Sequence, residues 1–101
     1  MTNKLGFKQD DLSIIVQIIS TFPGIKKAVI FGSRAKGNYK AGSDIDIAVC
    51  AINNDSILQL SGVLNDETLL PYKFDLLNYD TINNKELKEH IDRAGIEIYK
   101  Q

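Results

Sequence analysis

The sequence has one cysteine, two prolines and no long apolar run. Because Cys50 is the only cysteine, an internal disulfide is impossible, and its apolar neighbours predict a buried, reduced thiol. No apolar stretch approaches the about 18 residues of a transmembrane helix, and the first residues lack the apolar core of a signal peptide. These absences lead us to expect a cytoplasmic protein that does not bind membranes.

The numbers of positively and negatively charged residues are nearly equal. The chain has 12 Lys and Arg against 13 Asp and Glu, which gives a formal net charge of -1. A strongly basic chain would favour general nucleic-acid binding, and this balance gives no support for that function. The length of 101 residues predicts one domain, residues 1–101.

Hydrophobic periodicity predicts alternating helices and strands. The predicted helices cover 10–22, a short stretch within 32–42, a segment that begins at Asn54 or Asp55, and a segment capped by Asn83 with Glu86 in a capping box and ended by Gly95. The predicted strands cover 26–31, 43–51, 72–78 and a short final 96–99. This alternation predicts an α/β (α+β) fold, in which a small mixed sheet of three to four strands is flanked by helices.

Two acidic residues share one face of a predicted strand. Asp44 and Asp46 are separated by Ile45, so both carboxylates point the same way, while Ile45 and Ile47 point into the core. Adjacent carboxylates resist joint ionisation, and a bound divalent cation removes that repulsion. The alternation therefore indicates a Mg²⁺ site, because Mg²⁺ prefers oxygen ligands and combines carboxylates with substrate phosphates.

A third acid, Asp75, interrupts the otherwise apolar strand predicted over 72–78. If that strand lies beside the strand 43–51, Asp75 completes a cluster of three carboxylates with Asp44 and Asp46. Such a cluster can hold two metal ions roughly 3.5–4 Å apart, one near each reacting oxygen of a phosphoryl transfer.

The segment after the first predicted strand has features of a phosphate site. Gly32 lets the backbone approach a phosphate, Ser33 adds a hydroxyl donor, and Arg34 and Lys36 could neutralise charge. The segment is not a Walker A loop, because Asn38 and Tyr39 follow Gly37, and the G-x-G-x-x-G fingerprint is absent.

Each of these residues also has an ordinary structural interpretation. Asp44 and Asp46 could lie on a solvated strand edge or cap a turn, and Asp75 could be an exposed strand residue. Ser33 could cap the short helix, which is compatible with phosphate binding. His90 lies in a charged helix, so we expect it to be exposed and give it no catalytic role. Solvated surface charge is the alternative for Arg34 and Lys36, and we expect Tyr39 and Tyr72 to be packing residues.

Taken together, the two acidic and glycine-rich segments resemble a known signature. Gly32-Ser33-Arg34-Ala35-Lys36-Gly37, followed by Ser43-Asp44-Ile45-Asp46, resembles the G-S-x-x-x-G…D-x-D motif of the DNA polymerase beta superfamily of nucleotidyltransferases. The length and element order look closest to the minimal nucleotidyltransferases (the MNT, MntA antitoxin-like proteins) of bacteria and archaea. The resemblance covers roughly residues 10–100.

This resemblance implies a polymerase beta palm-like fold and a reaction. An acceptor oxygen would attack the α-phosphorus of a nucleoside triphosphate in line and release pyrophosphate. Asp44, Asp46 and Asp75 would be catalytic and would bind two Mg²⁺ ions, and Asp75 could also act as a base toward the acceptor. The implied nucleotide-binding residues are Gly32, Ser33 and Arg34. Lys36 departs from the arginine of many relatives, a mild change if the group only supplies charge.

The resemblance also implies a partner. Small members of the family often pair with a separate all-helical HEPN-type protein, in some cases a toxin RNase that is neutralised by AMP added to a tyrosine. We therefore expect an antitoxin that transfers AMP from ATP to a hydroxyl of such a partner. Larger relatives carry a second domain that this chain has no room for, so a partner or a second copy, in a hetero-oligomer or homodimer, would supply the acceptor site. A non-catalytic subunit that acts by occlusion and a nucleotide-sensing module are the alternatives.

Overall fold

The computed structural model describes residues 9–32 and 44–101. Its helices are α1 (Gln9–Ser20), α2 (Asn54–Asp66) and α3 (Lys85–Ala94), and its strands are β1 (Ile25–Phe31), β2 (Ile45–Ala51), β3 (Phe74–Asn78) and β4 (Ile96–Lys100). A single 3₁₀ turn, Tyr79–Thr81, follows β3. The short helix predicted within 32–42 falls almost entirely on residues outside the described ranges. No helix in the described part of the chain is long and apolar enough to cross a membrane.

The four strands form one mixed sheet in the order β3-β2-β1-β4. Strand β1 runs antiparallel to both β2 and β4, whereas β2 and β3 are parallel. A parallel pair needs a crossover connection, and α2 provides it. The predicted mixed sheet flanked by helices is therefore confirmed, with β3 and β4 as its edges.

The two faces of the sheet carry different layers. Alternate side chains of β2, including Ile45, Ile47 and Val49, point into the main core, where α1 and α2 cover the sheet. The main core also contains Ile15, Ile19, Ile25, Ala28, Ile30, Ile57, Leu60, Leu64 and Phe74. On the opposite face a smaller cluster of Phe31, Ala48 and Ile91 lies beneath α3. Asp46 belongs to this second face, because it alternates with Ile45 and Ile47 along β2.

Asparagine side chains cap the starts of two helices. Helix α2 begins at Asn54, as predicted, and the side chain of Asn53 caps it by accepting a hydrogen bond from the Ser56 amide at 3.0 Å. In α3 the cap is Asn84, whose side chain accepts from the Leu87 amide at 3.1 Å, so the predicted cap at Asn83 was wrong. In adjacent asparagines the sequence alone does not show which one leaves the helical conformation.

The ends of α3 and α1 follow from local chemistry. Gly95 caps α3 as predicted, and its amide donates to the Ile91 carbonyl at 2.9 Å. A Cβ there would clash with that carbonyl and lie 2.5 Å from Val29 Cγ1, so the close approach of α3 to the sheet requires glycine. Helix α1 ends at Ser20, before the predicted residue 22, because Pro23 disfavours helical backbone in the residue before it.

Candidate active site

Two of the three predicted carboxylates lie side by side on neighbouring strands. Asp46 on β2 lies directly opposite Asp75 on β3 in the register of the parallel pair. Residues paired in this way point to the same face, so the two side chains are neighbours. Asp44 immediately precedes β2 rather than lying within it, and it is exposed. The predicted condition that the two acidic strands be adjacent is therefore met.

The electrostatics of Asp46 reflect this grouping. Burial raises the pKa of the Asp46 carboxyl above its ordinary value, and the negative charges of Asp75 and, more weakly, Asp44 raise it further. Asp75 and Asp44 are both exposed, whereas Asp46 is half-buried. The carboxylates thus form one negatively charged region whose repulsion a cation would relieve.

The donor chemistry of this region suits Mg²⁺ better than a softer metal, because it consists of carboxylate oxygens. Within residues 9–32 and 44–101, no three His, Cys, Asp or Glu side chains are grouped so that they could hold a metal ion by themselves. An open set of carboxylates is nevertheless what a Mg²⁺ ion uses when substrate phosphates and waters complete its ligands. The residues present therefore fit a metal that binds together with a nucleotide.

Gly32 is the first residue of the predicted phosphate segment, and it lies beside Asp46. It follows β1 directly and has a φ of 78°, in the left-handed region that favours glycine. A Cβ at this position would lie 2.6 Å from the Oδ2 atom of Asp46. Its neighbour Phe31 pairs with Asp46 across β1 and β2. Glycine is therefore required here both for the turn and for the approach of the backbone to the carboxylate.

His90 also contacts this turn, and the expectation that it is simply exposed was wrong. It is half-buried, and its Nε2 atom accepts a hydrogen bond from the Gly32 amide at 3.2 Å. Its ring packs edge-on against Phe31, with centroids 6.3 Å apart and an interplanar angle of 74°. The available sequence signal is its position between Leu87 and Ile91, at the border of the apolar stripe of α3.

The other predicted nucleotide-binding residues lie outside the described ranges. Ser33 and Arg34, with Lys36 and Tyr39, belong to residues 33–43. The described part of the phosphate segment is therefore Gly32 alone, and the roles of Ser33 and Arg34 stay predictions.

A separate cavity of about 210 Å³ opens on the same face of the sheet, between α3 and the strands, and the three carboxylates do not line it. Cys50 lines this cavity and is half-buried, rather than buried as predicted. Burial raises the pKa of its thiol, which favours the protonated, unreactive form. At the rim, the Tyr79 hydroxyl donates to Asp92 Oδ1 at 2.6 Å, and this hydrogen bond raises the pKa of Tyr79 to about 12.

The amino-acid sequence is similar to a family of nucleotidyltransferases and to two of its relatives. The sequence profile of the family described as "Polymerase beta, Nucleotidyltransferase" matches residues 14–101. A protein of Methanocaldococcus jannaschii is 36% identical over 76 residues, which cover 74% of this chain and 81% of the relative. MntA of Haemophilus influenzae is 27% identical over 100 residues, which cover 97% of this chain and 87% of the relative. Both relatives are named, provisionally, protein adenylyltransferases.

Among solved structures, a toxin–antitoxin with AMP-PNP is similar in fold. Its matching chain has a TM-score of 0.69 and 22% sequence identity, over 93% of this chain and 75% of that one. At this level of identity the likeness supports the architecture of the sheet and its helices.

Proposed function

Because the chain belongs to the polymerase beta nucleotidyltransferase family, we propose that it transfers AMP from ATP to a hydroxyl of a partner protein, as the antitoxin of a toxin–antitoxin pair. The observation that carries the proposal is the placement of Asp75 opposite Asp46, beside the turn at Gly32. Two acidic residues that are distant in sequence thereby lie near Gly32, the residue that leads into the predicted phosphate segment. The names of the two relatives support AMP as the transferred group and a protein as the acceptor.

In this proposal Mg²⁺ is held by Asp44, Asp46 and Asp75. These side chains offer only oxygen donors. Burial raises the pKa of Asp46, the negative charges of Asp75 and Asp44 raise it further, and a bound cation would offset that repulsion. When two Mg²⁺ ions are bound, they supply positive charge that stabilises the attacking and the leaving oxygens.

The chain's own residues have separate roles in the transfer. The acceptor hydroxyl oxygen forms a bond to the α-phosphorus of ATP, the bond from that phosphorus to the bridging oxygen breaks, and pyrophosphate leaves. Asp75 lies exposed on the edge strand β3, where an acceptor can approach, and it takes the hydroxyl proton. Gly32 allows the nucleotide phosphates to approach the backbone, and Ser33 and Arg34 hold the triphosphate.

The acceptor in this proposal is a hydroxyl, such as that of a tyrosine, on a separate all-helical HEPN-type protein. The similar structure is a toxin–antitoxin with a bound ATP analogue, which supports both the nucleotide and the two-protein arrangement. The Haemophilus influenzae relative is named a probable protein adenylyltransferase, which supports a protein as the acceptor.

The test is transfer of radioactive label from α-phosphate-labelled ATP, with Mg²⁺, to the protein encoded beside this chain or to an extract of the source cells. Asp46→Asn is compared with wild type. Asp55→Asn is the matched control, because Asp55 is exposed in the first turn of α2, at the end of β2 away from Asp46.

We expect a labelled protein with wild type and with Asp55→Asn, and none with Asp46→Asn. The same experiment with γ-labelled ATP should leave the acceptor unlabelled, because the γ-phosphate departs with pyrophosphate. If no nucleotide labels any protein while the chain still neutralises its partner, neutralisation occurs by occlusion and the enzymatic proposal fails.

A further inference from the structure

The amide of Gly32 is already occupied by a residue far away in sequence. Its N–H donates to His90 Nε2 at 3.2 Å across a separation of 58 residues. Backbone amides at the end of a strand need a partner when they are not exposed to water. Here a side chain of α3 satisfies the amide at the very residue where the chain turns away from β1 toward the predicted phosphate segment.

From this contact we infer that His90 is a positioning residue: it holds Gly32, the residue that leads into the predicted phosphate segment, in its left-handed conformation beside Asp46. The effect of His90 on nucleotide binding rests on the proposed function. Its effect on the Gly32 turn does not.

His90 is itself held from two sides. The next residue, Ile91, is buried in the cluster with Phe31 and Ala48, which fixes α3 against the sheet. The imidazole ring packs edge-on against Phe31, the residue before Gly32. A ring fixed by both contacts has little rotational freedom left to lose when it accepts the hydrogen bond.

The hydrogen bond also specifies the chemical form of the ring. An imidazole nitrogen accepts a hydrogen bond only when it carries no proton, so the interacting form is neutral with its proton on Nδ1. His90 therefore acts on the turn as a hydrogen-bond acceptor.

One consequence concerns the predicted nucleotide contacts. Because its amide is bound to His90, Gly32 serves the nucleotide through its missing side chain and its φ of 78°, not through its N–H. Direct donors to phosphate are then the residues that follow, beginning with Ser33. His90 thus influences nucleotide binding without touching the nucleotide.

The experiment compares three variants of the full chain. His90→Phe keeps an aromatic ring against Phe31 but removes the acceptor. His90→Gln restores an acceptor oxygen on a side chain of similar reach. Glu89→Gln, at an exposed position of the same helix, is the control. The readouts are the hydrogen-exchange rate of the Gly32 amide, the Kd for ATP with Mg²⁺, and kcat and KM for AMP transfer.

We expect His90→Phe to speed exchange at Gly32 and to raise the Kd and KM for ATP roughly fivefold, as for the loss of one hydrogen bond. The change in kcat should be smaller, His90→Gln should recover part of the loss, and Glu89→Gln should match wild type.

Two outcomes overturn the inference. In the first, Gly32 exchanges equally in wild type and His90→Phe. In the second, His90→Phe lowers only the melting temperature, while the Kd for ATP is unchanged. If wild type itself binds no ATP, the proposed function fails, and the exchange rate of Gly32 still decides whether His90 holds the turn.

Discussion

Asp46 and Asp75 lie directly opposite each other on the parallel strands β2 and β3. The pair is the structural centre of the site, because it brings a carboxylate from the D-x-D segment next to one from a strand nearly thirty residues later. On the other side of Asp46, the antiparallel neighbour β1 ends in Phe31 and the Gly32 turn. One half-buried carboxylate is therefore bordered by a second acid and by the start of the phosphate segment.

The first prediction concerns fold stability without metal. Burial and the neighbouring acids raise the pKa of Asp46, so its charged form is disfavoured in the folded state. A raised folded pKa of an acid means that folding is favoured at low pH and that this contribution is lost as pH rises through the folded pKa. Asp46→Asn should therefore raise the melting temperature at neutral pH by a small amount, because solvent screens part of the repulsion at this half-buried position. A melting temperature clearly below that of wild type would contradict this account.

The second prediction concerns metal and nucleotide. Millimolar Mg²⁺ with ATP should raise the melting temperature of wild type, because a ligand that binds the folded state stabilises it. The shift should be much smaller for Asp46→Asn, which keeps the fold but lacks a central oxygen ligand. Thermal unfolding with and without EDTA measures both effects. Equal shifts in wild type and variant would place metal binding elsewhere.

The third prediction concerns Gly32. Gly32→Ala combines a positive φ with a Cβ only 2.6 Å from Asp46 Oδ2, so it should destabilise the fold by about 1–3 kcal/mol and weaken ATP binding. Gly62→Ala is the matched control: a Cβ there meets no atom within 4 Å, and alanine should stabilise α2 by roughly 0.5–1 kcal/mol. Urea unfolding of the two variants should give changes of opposite sign, and two changes of the same sign would refute the described geometry.

The fourth prediction distinguishes two adjacent asparagines. Asn84 caps α3, so Asn84→Ala should cost about 1 kcal/mol of unfolding free energy. Asn83 is exposed and precedes the cap, so Asn83→Ala should change stability by less than about 0.5 kcal/mol. Chemical denaturation checks both variants. A larger loss of stability in Asn83→Ala than in Asn84→Ala would show that Asn83 is the N-cap of α3, as the capping-box pattern predicts.

The fifth prediction concerns pH. The hydrogen bond to Asp92 raises the pKa of Tyr79 to about 12. Because the folded pKa lies above an unfolded value of about 10, the stabilisation is complete below pH of about 10 and is lost as pH rises from there through the folded pKa. The difference in tyrosinate absorbance between wild type and Tyr79→Phe should titrate near pH 12, and near pH 10 in an Asp92→Asn background. Titration of Tyr79 near pH 10 in the wild type would show that the hydrogen bond is absent in solution.

Much of the fold follows from local sequence patterns. The apolar stripe of α1 and the alternation along β2 predict their elements because each pattern repeats over several residues. Boundaries are less well determined, since single residues such as Asn53 and Asn84 decide them through hydrogen bonds that compete with those of their neighbours. A single domain over residues 1–101 and a cytoplasmic location stay predictions.

Some residues of the candidate site also follow from local sequence patterns, and others do not. Asp44, Asp46 and Gly32 are close in sequence, so their motif predicts the family, and the family is confirmed. The pairing of Asp75 with Asp46 and the contact of His90 with Gly32 depend on which strands and helices pack together. No local pattern encodes that packing, and His90 in particular resembles any polar residue of an amphipathic helix.

The rate of AMP transfer by Asp75→Asn, measured beside wild type, decides whether the paired carboxylates of β2 and β3 form the transfer site. Asp75 could also be an ordinary exposed strand residue without a role in catalysis. Its register opposite Asp46 argues against that interpretation. If the paired carboxylates form the transfer site, the variant should keep its fold and lose activity at least about 100-fold. A folded Asp75→Asn protein that transfers AMP at the wild-type rate would contradict the account.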